Sequence, residues 1–321
     1  MMKFHDNEQE GGETQSQVHG LEGVSSPALT PDEEKQFTTI KWLHFYAGLF
    51  FLVQTIVYSA VDVDISVNPS IGINVNCDGP ICPTSIKYLG SVNPIFLIPL
   101  FTALACADHV VSFLVCWLQD HLAKQYLFEV GSNPLRWVEY SISASVMAVA
   151  IAILTGISDV HLWLLIFVMH AVGMFMGQML ELLPYPPSSP SPPSSPKVAC
   201  DCDNVPNQTS SRTGGVAGRH DWRLQRLRSL AYWVGAVSIF TPWLVLACYF
   251  FRAVSGDVPD FVYAAFLLTW ILYCCFGVNS YLHNVLGMYS FPTAEIVYIS
   301  LSFTAKTFLA ADVFGGLRAA E

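Results

Sequence analysis

Residues 293–317 read TAEIVYISLSFTAKTFLAADVFGGL, a 25-residue run long enough to cross a bilayer as a helix, with a lysine near its middle. Lys306 lies thirteen residues past Thr293 and eleven before Leu317. At about 1.5 Å per residue it is more than about 15 Å from either end, too deep for its ammonium to reach the interface easily. A charge at the centre of a membrane helix costs about 2.5–3.5 kcal/mol on insertion scales, so such a residue marks a structural ion pair or a functional site. One functional form is an amine that condenses with an aldehyde, releasing water, in a desolvated pocket where a carboxylate balances the cationic imine. Ser302, one helical turn earlier, is placed to hydrogen-bond the same group.

Six more runs of similar character precede it: Trp42–Val61, Asn93–Gln119, Trp137–Ser158, Val160–Leu183, Ser229–Phe251 and Phe261 to about Leu282. Of the 321 residues, 53% are hydrophobic and only 12% charged, against about 25% charged in soluble domains. Mean hydropathy is +0.44. Within lipid the backbone must satisfy its own polar groups, and the runs lack the alternation of barrel strands. The fold class is therefore an all-α, seven-helix membrane bundle over residues 42–317, whose surroundings are the lipid bilayer. Asn284, Gly287, Ser290 and Pro292 supply the turn that separates the sixth helix from the seventh. No internal repeat supports a transporter built from inverted halves.

Residues 1–41 hold eight acidic residues among Gly, Ser, Gln and Thr and read as a disordered acidic tail. They show no cleavable signal pattern, so the first span is expected to direct insertion itself. Residues 62–92 form a long loop able to make a short hairpin, and residues 184–228 are Pro/Ser-rich, then basic. Residues 318–321 complete the chain given, and any signalling partner is expected to be a separate molecule.

Orientation follows Lys and Arg near the spans. With the N-terminus cytoplasmic, eleven lie inside: Lys3, Lys35, Lys41, Lys124, Arg136, Lys197, Arg212, Arg219, Arg223, Arg226 and Arg228. Only Lys87, Arg252 and Arg318 lie outside, on the extracellular or lumenal side with the C-terminus. A receptor for a diffusible ligand with an outside N-terminus would need the opposite bias. The net charge of −10 offers no basic track for phosphates, so nucleic acid is not an expected partner. Cys77 and Cys82 fall on the oxidising side, as a small disulfide loop or as two free thiols. Cys200 and Cys202 sit beside Asp201 and Asp203 on the inner side, but no second ligand pair follows at zinc-site spacing.

Glu139 is the only acidic residue of the third span and the natural partner for Lys306, although hydropathy places it shallower from the inner face. The alternative is a membrane-edge carboxylate neutralised by Arg136. Asp108 and His109, adjacent in the second span, are expected on different faces. Glu181 lies at the inner end of the fourth span, and Asp312 lies six residues past Lys306, on a proton route or in a hydrated mouth. His170 reads as a packed polar residue. No two histidines have HxxH, HxxxH or HExxH spacing, and no phosphate loop or nucleophile elbow is present, so neither a metal site nor an enzyme is expected.

The segment Ser300-Leu301-Ser302-Phe303-Thr304-Ala305-Lys306 and the run from Asn133-Pro134-Leu135-Arg136-Trp137 through Glu139-Tyr140-Ser141-Ile142-Ser143-Ala144-Ser145-Val146-Met147 resemble the retinal-lysine and counterion helices of heliorhodopsins. That family's inverted orientation agrees with the charge count. The resemblance implies all-trans retinal as a protonated Schiff base on Lys306 and Glu139 as its counterion. It places Ser302 near the nitrogen, with Ser143 and Met147 along the polyene. It also implies homodimers with residues 62–92 near the interface, a polar cluster around His109, and Glu181 at the family's inner fourth-helix glutamate. Phe51 stands where the family often has a histidine one turn before Gln54, and Ala311 and Asp312 replace a Trp and a Gln. The implied function is a light-sensing photoreceptor with a slow signalling photocycle, and the alternative is light-driven or light-gated proton transport. The inner placement of residues 184–228 predicts that the sequon Asn207-Gln208-Thr209 stays unglycosylated in eukaryotic membranes. A glycosidase-sensitive mass shift at Asn207 would overturn the orientation.

Overall fold

Helix α1 (Pro31–Ala60) starts eleven residues before the apolar run at Trp42. A capping box explains the early start: the Thr30 side chain accepts from the Glu33 backbone N–H while the Glu33 carboxylate accepts from Thr30 N at 2.8 Å. Pro31 opens the helix, and Asp32, Glu33 and Glu34 place negative charge at its N-terminus. Phe37 and Ile40 are buried. Residues 31–41, expected within a disordered tail, are therefore helical, because local capping and two buried side chains outweigh the polar composition.

The computed structural model describes residues 29–61, 67–74, 84–183, 214–253 and 259–319. The remaining spans are α2 (Leu97–Leu118), α3 (Pro134–Leu154), α4 (Val160–Leu182), α5 (Gly214–Ala253), α6 (Asp260–Ser280) and α7 (Phe291–Ala319). α1 packs on α2 and α7, α2 on α3, α3 on α4 and α6, α4 on α5, and α6 on α7. Helix α3 lies at the centre, with 72% of its most apolar stretch buried against 28% for α4. Gly177 of α4 lets the Trp137 ring of α3 lie against the backbone, where an added Cβ would come within 2.1 Å of it.

α5 begins fifteen residues before the apolar run at Ser229, so residues 214–228 are helical rather than loop. Arg228 is buried, with Nε donating to the Asn284 carbonyl and Nη1 to that of Leu183, both at 2.7 Å. A π-helical turn, Tyr281–Val285, ends α6, and Gly287 with φ +64° reverses the chain before α7.

On the opposite side, strands β1 (Ser70–Asn74) and β2 (Thr84–Tyr88) form an antiparallel hairpin with Ser70 opposite Tyr88. Ser70 N donates to the Ser158 carbonyl at 2.9 Å, fastening the hairpin to the α3–α4 turn. Cys77, Cys82, Cys200, Cys202 and Asn207 lie outside the described residues.

The N-terminal ends of α3 and α7 and the C-terminal end of α4 meet at one buried guanidinium. Arg136, 2% exposed, pairs with Glu181 and with Glu295. Asn133 completes the cluster, its amide donating to Glu295 Oε1 at 2.7 Å and its backbone N–H to Glu181 Oε2 at 3.1 Å. The guanidinium lies 4.2 Å from the Tyr298 ring centroid. Arg136 and Arg228, counted as inner-side charges, are thus internal ties at helix ends. Removing one partner of a buried ion cluster strands the others without compensation, at about 3–5 kcal/mol. Arg136→Ala is therefore expected to destabilise the purified protein by about that amount, read by thermal unfolding in detergent; an unchanged transition would contradict a structural role for this triad.

Candidate functional site

Asn133 caps α3 with Oδ1 accepting from Arg136 N at 3.3 Å, and Pro134 occupies the first turn. The helix thereby starts inside the bundle end and carries Glu139 into its interior, 7% exposed. Across from it, α7 holds Ser302 and Lys306 one turn apart on its inner face, 2% and 3% exposed. Lys306 Nζ donates to Glu139 Oε1 at 2.7 Å.

The depth difference expected between these residues does not keep them apart. Arg136 and Glu139 are three residues apart on α3, whereas Glu295 and Lys306 are eleven apart on α7, yet both cross-helix pairs form. Helical side chains lean toward their own N-terminus, and Arg136 and Lys306 are long enough to take up the difference. The alternative in which Arg136 neutralises Glu139 does not hold, since Arg136 is committed to Glu181 and Glu295.

The walls around Lys306 Nζ are aromatic and apolar. The Tyr140 ring centroid lies 5.1 Å from the ammonium, and Tyr140 is held by its hydroxyl donating to the Tyr298 carbonyl at 3.1 Å. Tyr273 OH donates to the Ala144 carbonyl at 2.7 Å, fixing α6 to α3. Ser143, Met147 and Ser302 line the same small cavity as Lys306, of about 30 Å³. A second cavity of about 70 Å³ shares Tyr140, Met174, Tyr273 and Phe276 with it and runs toward Gly173 and Gly177. Glu139 Oε2 and Ser143 Oγ are buried without a hydrogen-bond partner among the described residues.

The other residues read from sequence are dispersed. Glu181 belongs to the Arg136 cluster at the bundle end. Asp312 is half-buried with Oδ2 unpartnered, and no described contact joins it to Lys306. His170 is packed against Tyr273, its Nδ1 donating to the Ile166 carbonyl at 2.9 Å. His109 meets His44 of α1, with their Nδ1 atoms 2.9 Å apart, and Phe51 stacks on the His109 ring. Asp108 and His109 do not diverge as expected; their side chains approach to 3.8 Å beside His44.

Sequence reasoning missed His44, Glu295 and the Tyr140 ring. Glu295 was legible in principle as a carboxylate four residues into a membrane helix. His44 was not, because its partners lie on another helix at no fixed spacing.

Against known proteins, the family model described as Heliorhodopsin matches residues 40–191 and 207–317. No curated protein matches. Among solved structures, the light-driven proton pump LR (Mac) from Leptosphaeria maculans is similar with TM-score 0.47 and 10% identity, over 88% of this chain and 96% of that one. The light-driven proton pump rhodopsin CsR of Coccomyxa subellipsoidea gives TM-score 0.44 and 14% identity, over 89% and 97% of the two chains. Likeness at that level says nothing about transport here. With seven membrane-length helices and a family match across most of its length, the chain belongs to the heliorhodopsin family, which implies a retinal chromophore and a photoreceptor role.

Proposed function

We propose that this protein is a light sensor that holds all-trans retinal covalently at Lys306, with the N-terminus cytoplasmic and the C-terminus extracellular or lumenal. The observation that carries the reading is the Lys306–Glu139 pair, 2.7 Å apart and buried among aromatic walls. The residues suit the chromophore in three ways. A buried amine faces a carboxylate whose Oε2 is unpartnered, Ser143 Oγ in the lining is also unpartnered, and the rest of the lining is mostly aromatic and thioether-rich. Met147 and Met174 are flexible enough to move aside for a polyene.

When bound, retinal supplies the visible absorbance and the light-driven isomerisation. Glu139 stabilises positive charge at Lys306 Nζ through Oε1, the oxygen placed to take a proton from that nitrogen. Tyr140, Tyr273 and Phe276 exclude water from the pair, which strengthens it. Helix α7 carries Lys306 and, eleven residues earlier, Glu295, so displacement at the lysine loads the Arg136 cluster at the end of the bundle. The Lys/Arg bias supports that end as the cytoplasmic one, where a signalling partner would read the change.

Purified protein supplied with all-trans retinal should show a visible band that Lys306→Ala abolishes and Glu139→Gln moves to longer wavelength. Folded wild-type protein without a band would sink the reading. A second reading, light-driven or light-gated proton transport, is supported by the unpartnered Asp312 carboxylate on the outer half of α7. Under the sensor reading, illuminated cells give no protonophore-sensitive pH change or photocurrent. A signal abolished by Asp312→Asn would establish transport instead.

A further inference from the structure

Three arginines near the start of the α5 span are used in different ways. Arg228 turns inward and is buried against the carbonyls of Asn284 and Leu183. Arg223 and Arg226 stay on the outside of the helix, and both are exposed. Their guanidiniums lie 5.5 and 4.7 Å from the ring centroid of Trp222, itself exposed, so that three flat side chains gather at one spot. Neither arginine has an ion-pair partner among the described residues, whereas Lys124, at the same end of the bundle, pairs with Glu34 at 2.9 Å.

The helix places these arginines above an unbroken apolar surface. At about 100° per residue, Arg223, Arg226, Leu227, Leu230, Val237 and Leu244 fall within one stripe about 100° wide. All six are exposed, so the stripe faces lipid. Arg228 lies about 140° round the helix from Arg223 and Asp221 about 160°, both off the stripe. The apolar run of α5 begins at Ser229, so Arg226 and Arg223 stand about 4.5 and about 9 Å before it at about 1.5 Å per residue. That is the level of the headgroup layer, which adds about 5–8 Å to each side of the hydrocarbon core. Orientation alone does not call for this arrangement. A bias of Lys and Arg to one side is met by arginines anywhere around a helix, with no tryptophan beside them and no lipid-facing stripe beneath.

We propose that this end of α5 binds one acidic phospholipid, its phosphate on Arg223 and Arg226 and its acyl chains along Leu227, Leu230 and Val237. A guanidinium matches a phosphate with two parallel N–H donors, and stacking on Trp222 holds the two forks in place. A zwitterionic headgroup brings its own ammonium beside the phosphate, which two guanidiniums repel. A net-negative headgroup has no such penalty. The attraction is local, because the chain as a whole carries a formal charge of −10. The surface does not depend on the chromophore reading, and its test reads lipid rather than light response.

Full-length protein in a non-ionic detergent is titrated in separate samples with dioleoyl phosphatidylglycerol or dioleoyl phosphatidylcholine, and binding of the first lipid is quantified by native mass spectrometry. Phosphatidylglycerol is expected to bind about ten- to thirtyfold more tightly, the effect of two arginines on an acidic headgroup. Replacing both arginines, Arg223→Gln with Arg226→Gln, should bring the two affinities close together. Lys35→Gln with Lys41→Gln removes the same charge from the same end of the bundle and should leave the preference intact. Circular dichroism checks that each variant is folded, and the wild-type preference is read without any variant. Four results would overturn the site: no preference in the wild type, a preference that survives loss of both arginines, one abolished equally by the lysine substitutions, or a dimer that binds no phosphatidylglycerol because a second copy covers the face.

Discussion

An ammonium held in the middle of a membrane is tolerated only when a carboxylate meets it at contact distance, and the Lys306–Glu139 pair imposes that condition on the rest of the bundle. Desolvating two charges costs several kcal/mol each, and their attraction in a low dielectric repays this only with good geometry. The geometry depends on α3 being sunk into the bundle far enough for Glu139 to meet a lysine fifteen residues into α7. Asn133 and Pro134 start α3 at that depth, and Gly177 lets Trp137 pack tightly against α4.

The same constraint recurs at the bundle end. Arg136 is as buried as Lys306, and it is matched by two carboxylates from two other helices. The two clusters share α3 and α7, so the helices that define the central pocket also carry the ionic tie near the surface. The two helices are joined by an ion pair at each level and, between the levels, by Tyr298 against Trp137 and Tyr140, which couples them as a lever. Motion at one level is felt at the other because the interior is close-packed, which gives a physical basis for linking a pocket to a distant face.

The parts of this arrangement legible in sequence were those where a charge interrupts an apolar run. Lys306 and Glu139 stood out because hydropathy alone makes each anomalous, and the turn before Pro292 was announced by Gly287 and Asn284. The early start of α1 was also written in the chain, as Thr30 followed three residues later by Glu33, but acidic composition masked it. Clusters assembled from different helices were not legible. His44 sits 65 residues from His109, and Glu295 lies 159 residues from Arg136. Single-chain spacing rules detect ligands on one helix, whereas bundle packing brings together residues with no periodic relation.

The central claim is that Lys306 is the attachment point of the chromophore. The most direct measurement is borohydride reduction of illuminated, retinal-loaded protein followed by peptide mass spectrometry, which fixes the linkage permanently to whichever amine carries it. A single retinyl adduct on the peptide containing Lys306 is the predicted result. An adduct on another lysine, or none in protein that retains its visible band, would contradict the account.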